Sequence, residues 1–173
     1  MIPFILAIDP GTTESGVVLI RSLDCHPLLH CKEENESVFD LIDSAEENNP
    51  RHVAYVIEYI ASYGMPVGAE VFEAAYAIGD FRTYITRKKH RECARIYRRE
   101  EKLNICHSPN ANDATIRQAL VDRFACGVSN HGKGTKANPG FFYGFRADEW
   151  AAFAVAVTYR DKIMEENHEF INQ

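Results

Sequence analysis

Apolar runs and segments of helical periodicity alternate along this chain. The first run, residues 3–9, is partly β-branched and is closed by Pro-Gly, which is typical of a buried strand. A second strand is predicted over residues 16–22 and a weaker third one over residues 27–32. Helical spacing within SVFDLIDSAEENN predicts a helix that ends at Asn-Asn-Pro. Residues 52–60, HVAYVIEYI, then predict another buried strand.

The second half of the chain is mainly helical in pattern. Residues 69–99 predict one long helix or two, and residues 102–108 predict a short strand. A helix with cap-type residues before it should reach Phe124, and residues 126–145 form a glycine-rich loop. The segment ADEWAAFAVAVTYRDKIMEEN is apolar nearly all round at first, which predicts a buried helix. This order predicts an α/β fold with a mixed five-stranded sheet flanked by helices on both faces.

Length and composition are those of an ordinary globular protein. The 173 residues, 46% hydrophobic and 25% charged, predict a single domain over residues 1–173. The N-terminal apolar run is too short for a signal peptide or a membrane span and has no basic residues before it, so we expect a cytoplasmic protein. Five cysteines without a C-x-x-C pair indicate reduced thiols. The cluster CHPLLHC lacks a second ligand pair, which favours a turn or edge strand over a zinc site.

Charge is unevenly distributed along the chain. The net charge is −6, and residues 1–50 hold ten acidic side chains against two basic ones. Residues 82–102 instead hold nine Lys or Arg against three Glu. Such a run is either a solvated helix face or a surface that attracts phosphates, since local charge density decides whether DNA is attracted.

Three acids stand at the boundaries of apolar elements. Asp9 ends the first strand, Glu58 lies inside the strand VIEYI, and Asp148 opens the last helix. Asp148 also suits the first turn of a helix, but a glutamate among Val, Ile and Tyr needs a cation nearby. Oxygen-only ligands suit Mg²⁺ or Mn²⁺, and two such ions assist phosphodiester cleavage. The acids therefore form a hypothetical metal site.

Three segments carry a resemblance to a known family. AIDPGTTESG, IEYIASYGMPVG and DEWAAFAVAVTY together resemble the RuvC-like Holliday junction resolvases, most closely those of the bacteriophage type. The similarity extends through SPNANDATIRQALVDRF and GKGTKANPG and covers residues 3 to about 160. It implies an RNase H-like fold and a homodimeric nuclease of DNA recombination and repair, in the host cytoplasm if the chain is phage-encoded.

The same resemblance implies the chemistry and the residues that perform it. Such enzymes nick two strands of a four-way DNA junction symmetrically, using Mg²⁺ or Mn²⁺, with two ions expected. Asp9, Glu58 and Asp148 match the family's catalytic, metal-binding acids. The chain departs from the family at Ala151, where a further acid or histidine is usual. Second-tier candidates for that missing ligand are Glu149 and Asp113, although Asp113 also suits a helix cap.

Other residues are assigned to DNA contacts. The predicted set consists of one threonine in the first turn, four basic residues of the 82–102 run and two loop lysines: Thr12, Arg87, Lys88, Lys89, Arg91, Lys133 and Lys136. Thr12 equally suits turn stabilisation. An aromatic trio in the loop suits either base stacking or packing: Phe141, Phe142 and Tyr143. Tyr63 and Met65 suit either a contact at the junction centre or local packing.

Three other functions compete with a junction resolvase. An actin-like ATPase or sugar kinase lobe also uses D-x-G-T, but it needs a second lobe and a second phosphate loop. A junction-binding protein without cleavage activity would explain Ala151. A related RNase H-fold nuclease would act on flaps or RNA–DNA hybrids instead.

Overall fold

The computed structural model describes residues 2–62, 64 and 68–171, with side chains up to residue 166. In chain order the strands are β1 Phe4–Asp9, β2 Glu14–Arg21, β3 Pro27–Glu34, β4 Val53–Tyr59 and β5 Cys93–Tyr97. The helices are α1 Asn35–Asn48, α2 Ala69–Thr83, α3 Arg98–Cys106, α4 Asp113–Phe124 and α5 Ala147–Ile171. A π-helical segment, Tyr84–Lys88, continues α2.

The strands form a mixed five-stranded sheet in the order β3-β2-β1-β4-β5. β2 is antiparallel to both β1 and β3, whereas β4 lies parallel to β1 and β5 lies parallel to β4. Helices pack on both faces, with α1 and α2 on one and α5 on the other. The predicted α/β class and five-stranded mixed sheet are confirmed.

The alternating directions of the side chains along the central strands divide the hydrophobic core into two clusters, one on each face of the sheet. Successive side chains of a strand point to opposite faces. In β1, Ile5 and Ala7 belong to the cluster that includes α5, whereas Leu6 and Ile8 pack with α1 and α2. All four are buried, as the apolar run predicted. Asp9 follows Ala7 on the α5 face of the sheet.

Two of the predicted elements are wrong. Residues 69–99, predicted as one long helix or two, are helical only as far as Lys88 and at the start of α3. A turn with His90 at a φ of 53° leads from Lys88 into β5. Residues 102–108, predicted as a strand, lie mostly in α3. The Glu100 carboxylate accepts a hydrogen bond from the Tyr97 backbone N–H and so stabilises the start of α3. The fifth strand is therefore a short basic segment that lacks a long apolar run.

The predicted loop between α4 and α5 contains no helix or strand. Its aromatic side chains are part of the core: Phe142 and Phe145 are fully buried and contact Trp150 of α5. Packing thus explains the loop's apolar residues. Within the described ranges, no helix is long and apolar enough to cross a membrane.

Candidate active site at the end of the central strands

Asp9 and Glu58 lie side by side at the end of the sheet. β1 and β4 run parallel with Ile8 beside Ile57, so the next residue of each strand is one of these acids. The residues two positions before each acid are buried against α5, which places both carboxyl groups on that face. The two carboxyl groups are close enough that each changes the pKa of the other. The structure therefore brings together two of the three predicted metal-binding acids.

Gly16 allows α5 to approach this end of the sheet. It pairs with Asp9 across β1 and β2 and with Lys32 across β2 and β3. A Cβ atom on Gly16 would lie 2.5 Å from the backbone oxygen of Asp148. Only a residue without a side chain leaves room for α5 to begin here. The close contact therefore positions Asp148 above the row of residues that contains Asp9.

The three acids and their neighbours line a cleft of about 460 Å³. Ala151 also lines it, so the residue that replaces the expected fourth acid does lie at the site. A larger groove of about 550 Å³ lies between the β1–β2 turn, α1 and α2. That groove is lined by five acids and by no lysine or arginine, so it repels phosphates. The smaller cleft is the candidate active site.

Burial and like charge raise the pKa of both strand acids. Burial and then the neighbouring Glu58 raise the pKa of Asp9 to about 8. Burial raises the pKa of Glu58 to about 7, with the charge of Glu101 as the next cause. The positive charge of Arg98 opposes both shifts. Near neutral pH the pair therefore retains a proton unless a cation lies close to it.

Arg98 and Glu101 were missed as site residues by the sequence reasoning. Both belong to α3, which begins where β5 ends beside Glu58. Arg98 Nη1 donates a hydrogen bond of 2.6 Å to Glu101 Oε2, and Arg98 Nη2 donates to Asp113. Glu101 is fully buried, and within the described part of the chain its Oε1 has no hydrogen-bond partner. The run RREE is the available signal, but it lies at the end of the helical segment predicted over residues 69–99 and within the basic run, where a solvated helix face also explains it.

Asp148 lies at the cleft, but its carboxylate binds a lysine. Lys32 Nζ lies 2.9 Å from Asp148 Oδ2 and 3.0 Å from Glu14 Oε2. Among the described residues, no group of three or more His, Cys, Asp or Glu side chains converges closely enough to hold a metal ion. The Asp9–Glu58 pair still fits Mg²⁺, because that ion is often held by one or two carboxylates and several waters. The third acid would join it only after leaving Lys32.

The two second-tier candidates have other partners. Glu149 is buried, and its Oε2 lies 2.6 Å from His30 Nδ1 and accepts a hydrogen bond from the backbone N–H of Arg146. Asp113 binds Arg98, and its side chain is 88% exposed. Asn112, not Asp113, caps α4 by accepting from the backbone N–H of Thr115. A metal-binding role for Glu149 or Asp113 stays a prediction.

The basic residues of the 82–102 run differ in their surroundings. Arg87 and Lys88 are exposed at the end of the π-helical segment. Lys89 forms an ion pair of 2.7 Å with Asp43. Arg91 donates a hydrogen bond to the backbone oxygen of Val53. The first two are therefore freer to bind DNA than the second two, which attach this segment to α1 and β4.

The remaining predicted contacts lie apart from the acids. Thr12 is exposed and lines the larger acidic groove, and its backbone oxygen accepts a hydrogen bond from Asn35. Lys133 and Lys136 line a separate depression in the α4–α5 loop, together with Arg146. Their roles in DNA binding stay predictions.

The aromatic trio of the α4–α5 loop is mainly a packing element. Phe142 is buried and Phe141 stacks on Phe124, whereas Tyr143 is 42% exposed. Tyr143 alone is open to a base. Tyr63 and Met65 lie outside the described residues.

The raised pKa of Asp9 predicts how stability depends on pH without metal. The folded protein keeps this proton between pH 3.8 and about 8, whereas the unfolded chain releases it near 3.8. The free energy of unfolding therefore falls as the pH rises through this range. At about pH 8.5 in EDTA, we expect Asp9→Asn to stabilise the protein by roughly 1–3 kcal/mol, and at about pH 4 by much less. Urea unfolding at both pH values measures the difference.

Asp40→Asn is the matched control for this experiment. Asp40 is an exposed acid on α1, outside the cleft. Its substitution removes the same charge without relieving a buried carboxylate. An equal gain in stability from both variants would contradict a buried, proton-holding pair at Asp9.

Comparison with known proteins identifies the fold. No protein-family model and no curated protein matches the chain. Two solved structures of RuvC from Thermus thermophilus match it, each with a TM-score of 0.66 and 13% sequence identity. The alignment with RuvC in complex with a Holliday junction substrate covers 93% of this chain and 95% of that chain. With the second RuvC structure the shares are 94% and 96%. The chain therefore has the RNase H-like fold of RuvC.

Proposed function

We propose that the chain is a metal-dependent DNA endonuclease that resolves four-way junctions by paired symmetric nicks. It acts as a RuvC-like resolvase of the bacteriophage type, a cytoplasmic homodimer of one domain per chain. The observation that carries the proposal is the half-buried Asp9–Glu58 pair with raised pKa values, set in an open cleft beside Asp148 at the end of the central strands. The RuvC fold match and the three sequence motifs support it.

The residues of the cleft have distinct roles in this proposal. Asp9 and Glu58 would hold Mg²⁺ or Mn²⁺, with two ions expected when DNA is bound. Such ions would supply Lewis-acid activation of a water and neutralise charge at the scissile phosphate. Asp148 completes the acid set once it leaves Lys32, which then faces the DNA backbone. Exposed ion pairs contribute at most about 1 kcal/mol, so DNA phosphates compete well for Lys32.

A surface on α2 supports the proposed homodimer. Phe72 and Tyr76 are 59% and 71% exposed, and they lie one helical turn apart. Exposed neighbouring aromatic residues are typical of surfaces that bind another protein. A second copy of the chain is the partner that paired, symmetric nicks require.

One observation favours a second candidate, a junction-binding protein without cleavage activity. Ala151 lines the cleft where a further acid is usual in RuvC-like proteins, and Asp148 is held by Lys32. A protein in this state would bind the junction through its basic residues and leave it intact. The resolvase remains the better supported proposal, because two adjacent half-buried carboxyl groups with raised pKa values favour a bound cation.

A panel of substrates tests both candidates. The purified protein is incubated with a labelled four-way junction, a flap, a linear duplex and an RNA–DNA hybrid, each with Mg²⁺, Mn²⁺ or EDTA. We expect symmetric nicks near the crossover of the junction with either metal and none in EDTA. Tight junction binding without cleavage would establish the second candidate. Cleavage of the flap or hybrid alone would show that this substrate, and not the junction, is the one the enzyme acts on. Nucleotide binding in calorimetry would favour the ATPase-like alternative.

The salt dependence of binding should separate the exposed from the paired basic residues. For each phosphate that a basic side chain no longer neutralises, the slope of log K against log [salt] becomes shallower by about 0.9. We expect Arg87→Gln and Lys88→Gln to weaken junction binding and to reduce this slope. Lys89→Gln, which first breaks the ion pair with Asp43, should change the slope less. Fluorescence anisotropy across a salt series measures the slopes. Equal slopes for the wild type and all three variants would show that these basic residues form a solvated surface and do not bind DNA.

A further inference from the structure

Arg98 is a cation at the acid cleft for which the resemblance to RuvC provides no role. It is the first residue of α3, and its side chain is 28% exposed. It lines the cleft together with Asp9, Glu58 and Asp148. Its charge acts on both strand acids, so the guanidinium lies within electrostatic range of the pair. A phosphodiester bound at these acids would therefore lie near Arg98.

Glu101 holds the guanidinium from the protein interior. Its carboxylate is fully buried and receives the 2.6 Å hydrogen bond from Arg98 Nη1. Burial of an acid is costly without a cation, so this contact strongly favours one position of Arg98. Arg98 Nη1 thus points toward the protein interior, where it binds Glu101, whereas the second nitrogen, Nη2, faces outward.

Asp113 occupies that outward nitrogen. Its carboxylate accepts the hydrogen bond from Arg98 Nη2, and its side chain is 88% exposed. An exposed carboxylate forms a weak ion pair, because water solvates it equally well when it is released. A carboxylate and a phosphate present similar acceptor oxygens to a guanidinium. Asp113 therefore lies where a phosphate of the DNA backbone would bind Arg98.

We propose that Arg98 binds a DNA backbone phosphate beside the strand acids, that Glu101 positions it, and that Asp113 occupies the phosphate's place in the DNA-free protein. This inference rests on the proposed nuclease function. It assigns Asp113 a role other than that of a metal ligand: Asp113 competes with DNA for Arg98, so its removal strengthens binding only while Arg98 is present. Arg98 supplies positive charge to the phosphate. It does so in a cleft in which Ala151 stands where a further acid is usual.

Binding of a four-way junction in EDTA tests the competition without cleavage. We expect Asp113→Asn to tighten binding by about threefold to tenfold, because the competing carboxylate is gone. Asp122→Asn is the matched control, since Asp122 is an exposed acid of α4 that binds only Gln118 among the hydrogen bonds of the described residues. In an Arg98→Gln background, Asp113→Asn should have no more effect than Asp122→Asn. A double-mutant cycle of anisotropy measurements gives this coupling.

A junction with a methylphosphonate at the mapped cleavage position tests the phosphate contact directly. That group removes the negative charge of one phosphate. We expect it to weaken binding by the wild type about tenfold and to have little effect on Arg98→Gln, in which the guanidinium is already absent. Arg99→Gln is the control, because Arg99 is exposed and adjacent in sequence but does not line the cleft. Glu101→Gln should reduce the sensitivity to methylphosphonate, which a purely structural role would leave unchanged.

Defined results would overturn the inference. Weaker or unchanged binding by Asp113→Asn, or fully additive effects of methylphosphonate and Arg98→Gln, would exclude the exchange of Asp113 for phosphate. If Arg98→Gln fails to fold, the double variant Arg98→Gln/Glu101→Gln removes both buried charges and takes its place. A wild type that cleaves junctions while failing these tests refutes only this inference. A wild type that neither binds nor cleaves junctions refutes the proposed function.

Discussion

The Asp9→Asn substitution is expected to lower the single-turnover rate of junction cleavage by at least about 10³-fold, because metal-ion catalysis contributes several kcal/mol to the transition state. Asp9 lies beside Glu58 in the same half-buried pair, so Glu58→Gln should have an effect of similar size. Neither change creates a cavity, since both amides have the shape of the acids they replace. Junction binding in EDTA should be unchanged or tighter, because a negative charge near the DNA is removed.

The measurement compares cleavage rates at saturating protein with Mg²⁺ and with Mn²⁺. Asp40→Asn is again the control and should keep the wild-type rate, because Asp40 is exposed on α1 and does not line the cleft. A rate for Asp9→Asn within about tenfold of the wild type would place the chemistry elsewhere, since the loss of one metal-binding acid would then be worth about 1.4 kcal/mol or less.

The second large effect is expected from Gly16→Ala. The new Cβ would lie 2.5 Å from the backbone oxygen and 2.8 Å from the backbone carbon of Asp148. Because both atoms are backbone, the start of α5 has to move. We expect a loss of about 2–3 kcal/mol in the free energy of unfolding, in the upper part of the range for overpacking. Cleavage should fall by about 10²-fold, since a shift of about 1 Å at a catalytic group has that cost.

Gly79→Ala provides the matched comparison. Gly79 lies in α2, and a Cβ there meets no atom within 4 Å. Alanine is a better helix former than glycine by about 1 kcal/mol, so this variant should be slightly more stable and fully active. Urea unfolding and cleavage rates measure both variants. A Gly16→Ala protein with wild-type stability and rate would show that the approach of α5 to β2 is not needed for the site.

The central part of the fold follows directly from residue patterns. The apolar runs of β1 and β4 are buried on both faces, and such runs identify central strands. The acids at their ends were recognised because a buried carboxylate is costly without a partner. The parallel register then places Asp9 beside Glu58, as the resemblance implied. These features depend on strong local signals.

The residues around the strand acids are positioned by tertiary contacts, which local sequence patterns do not reveal. β5 is a five-residue edge strand with arginine at its centre. Five residues are too few for the alternation of apolar and polar side chains to distinguish a strand from a helix. Because the sequence predicts helix at β5 and a strand at 102–108, it does not predict α3 or the Arg98–Glu101 pair. Likewise, the partner of Asp148 is Lys32, which lies more than a hundred residues earlier in the chain. Only the tertiary structure shows such a pairing.

The chain order of the elements has a consequence for synthesis. Asp9 and Glu58 precede α5, yet α5 packs over the face of the sheet on which they lie. Until Ala147 and the residues after it have left the ribosome, this apolar face lacks α5, the helix that covers most of it, and Asp148 is missing from the cleft. The nascent chain is therefore prone to aggregation at this stage and holds an incomplete acid set. In the proposed nuclease, catalytic competence thus arises only after α5 has been translated and has packed on the sheet.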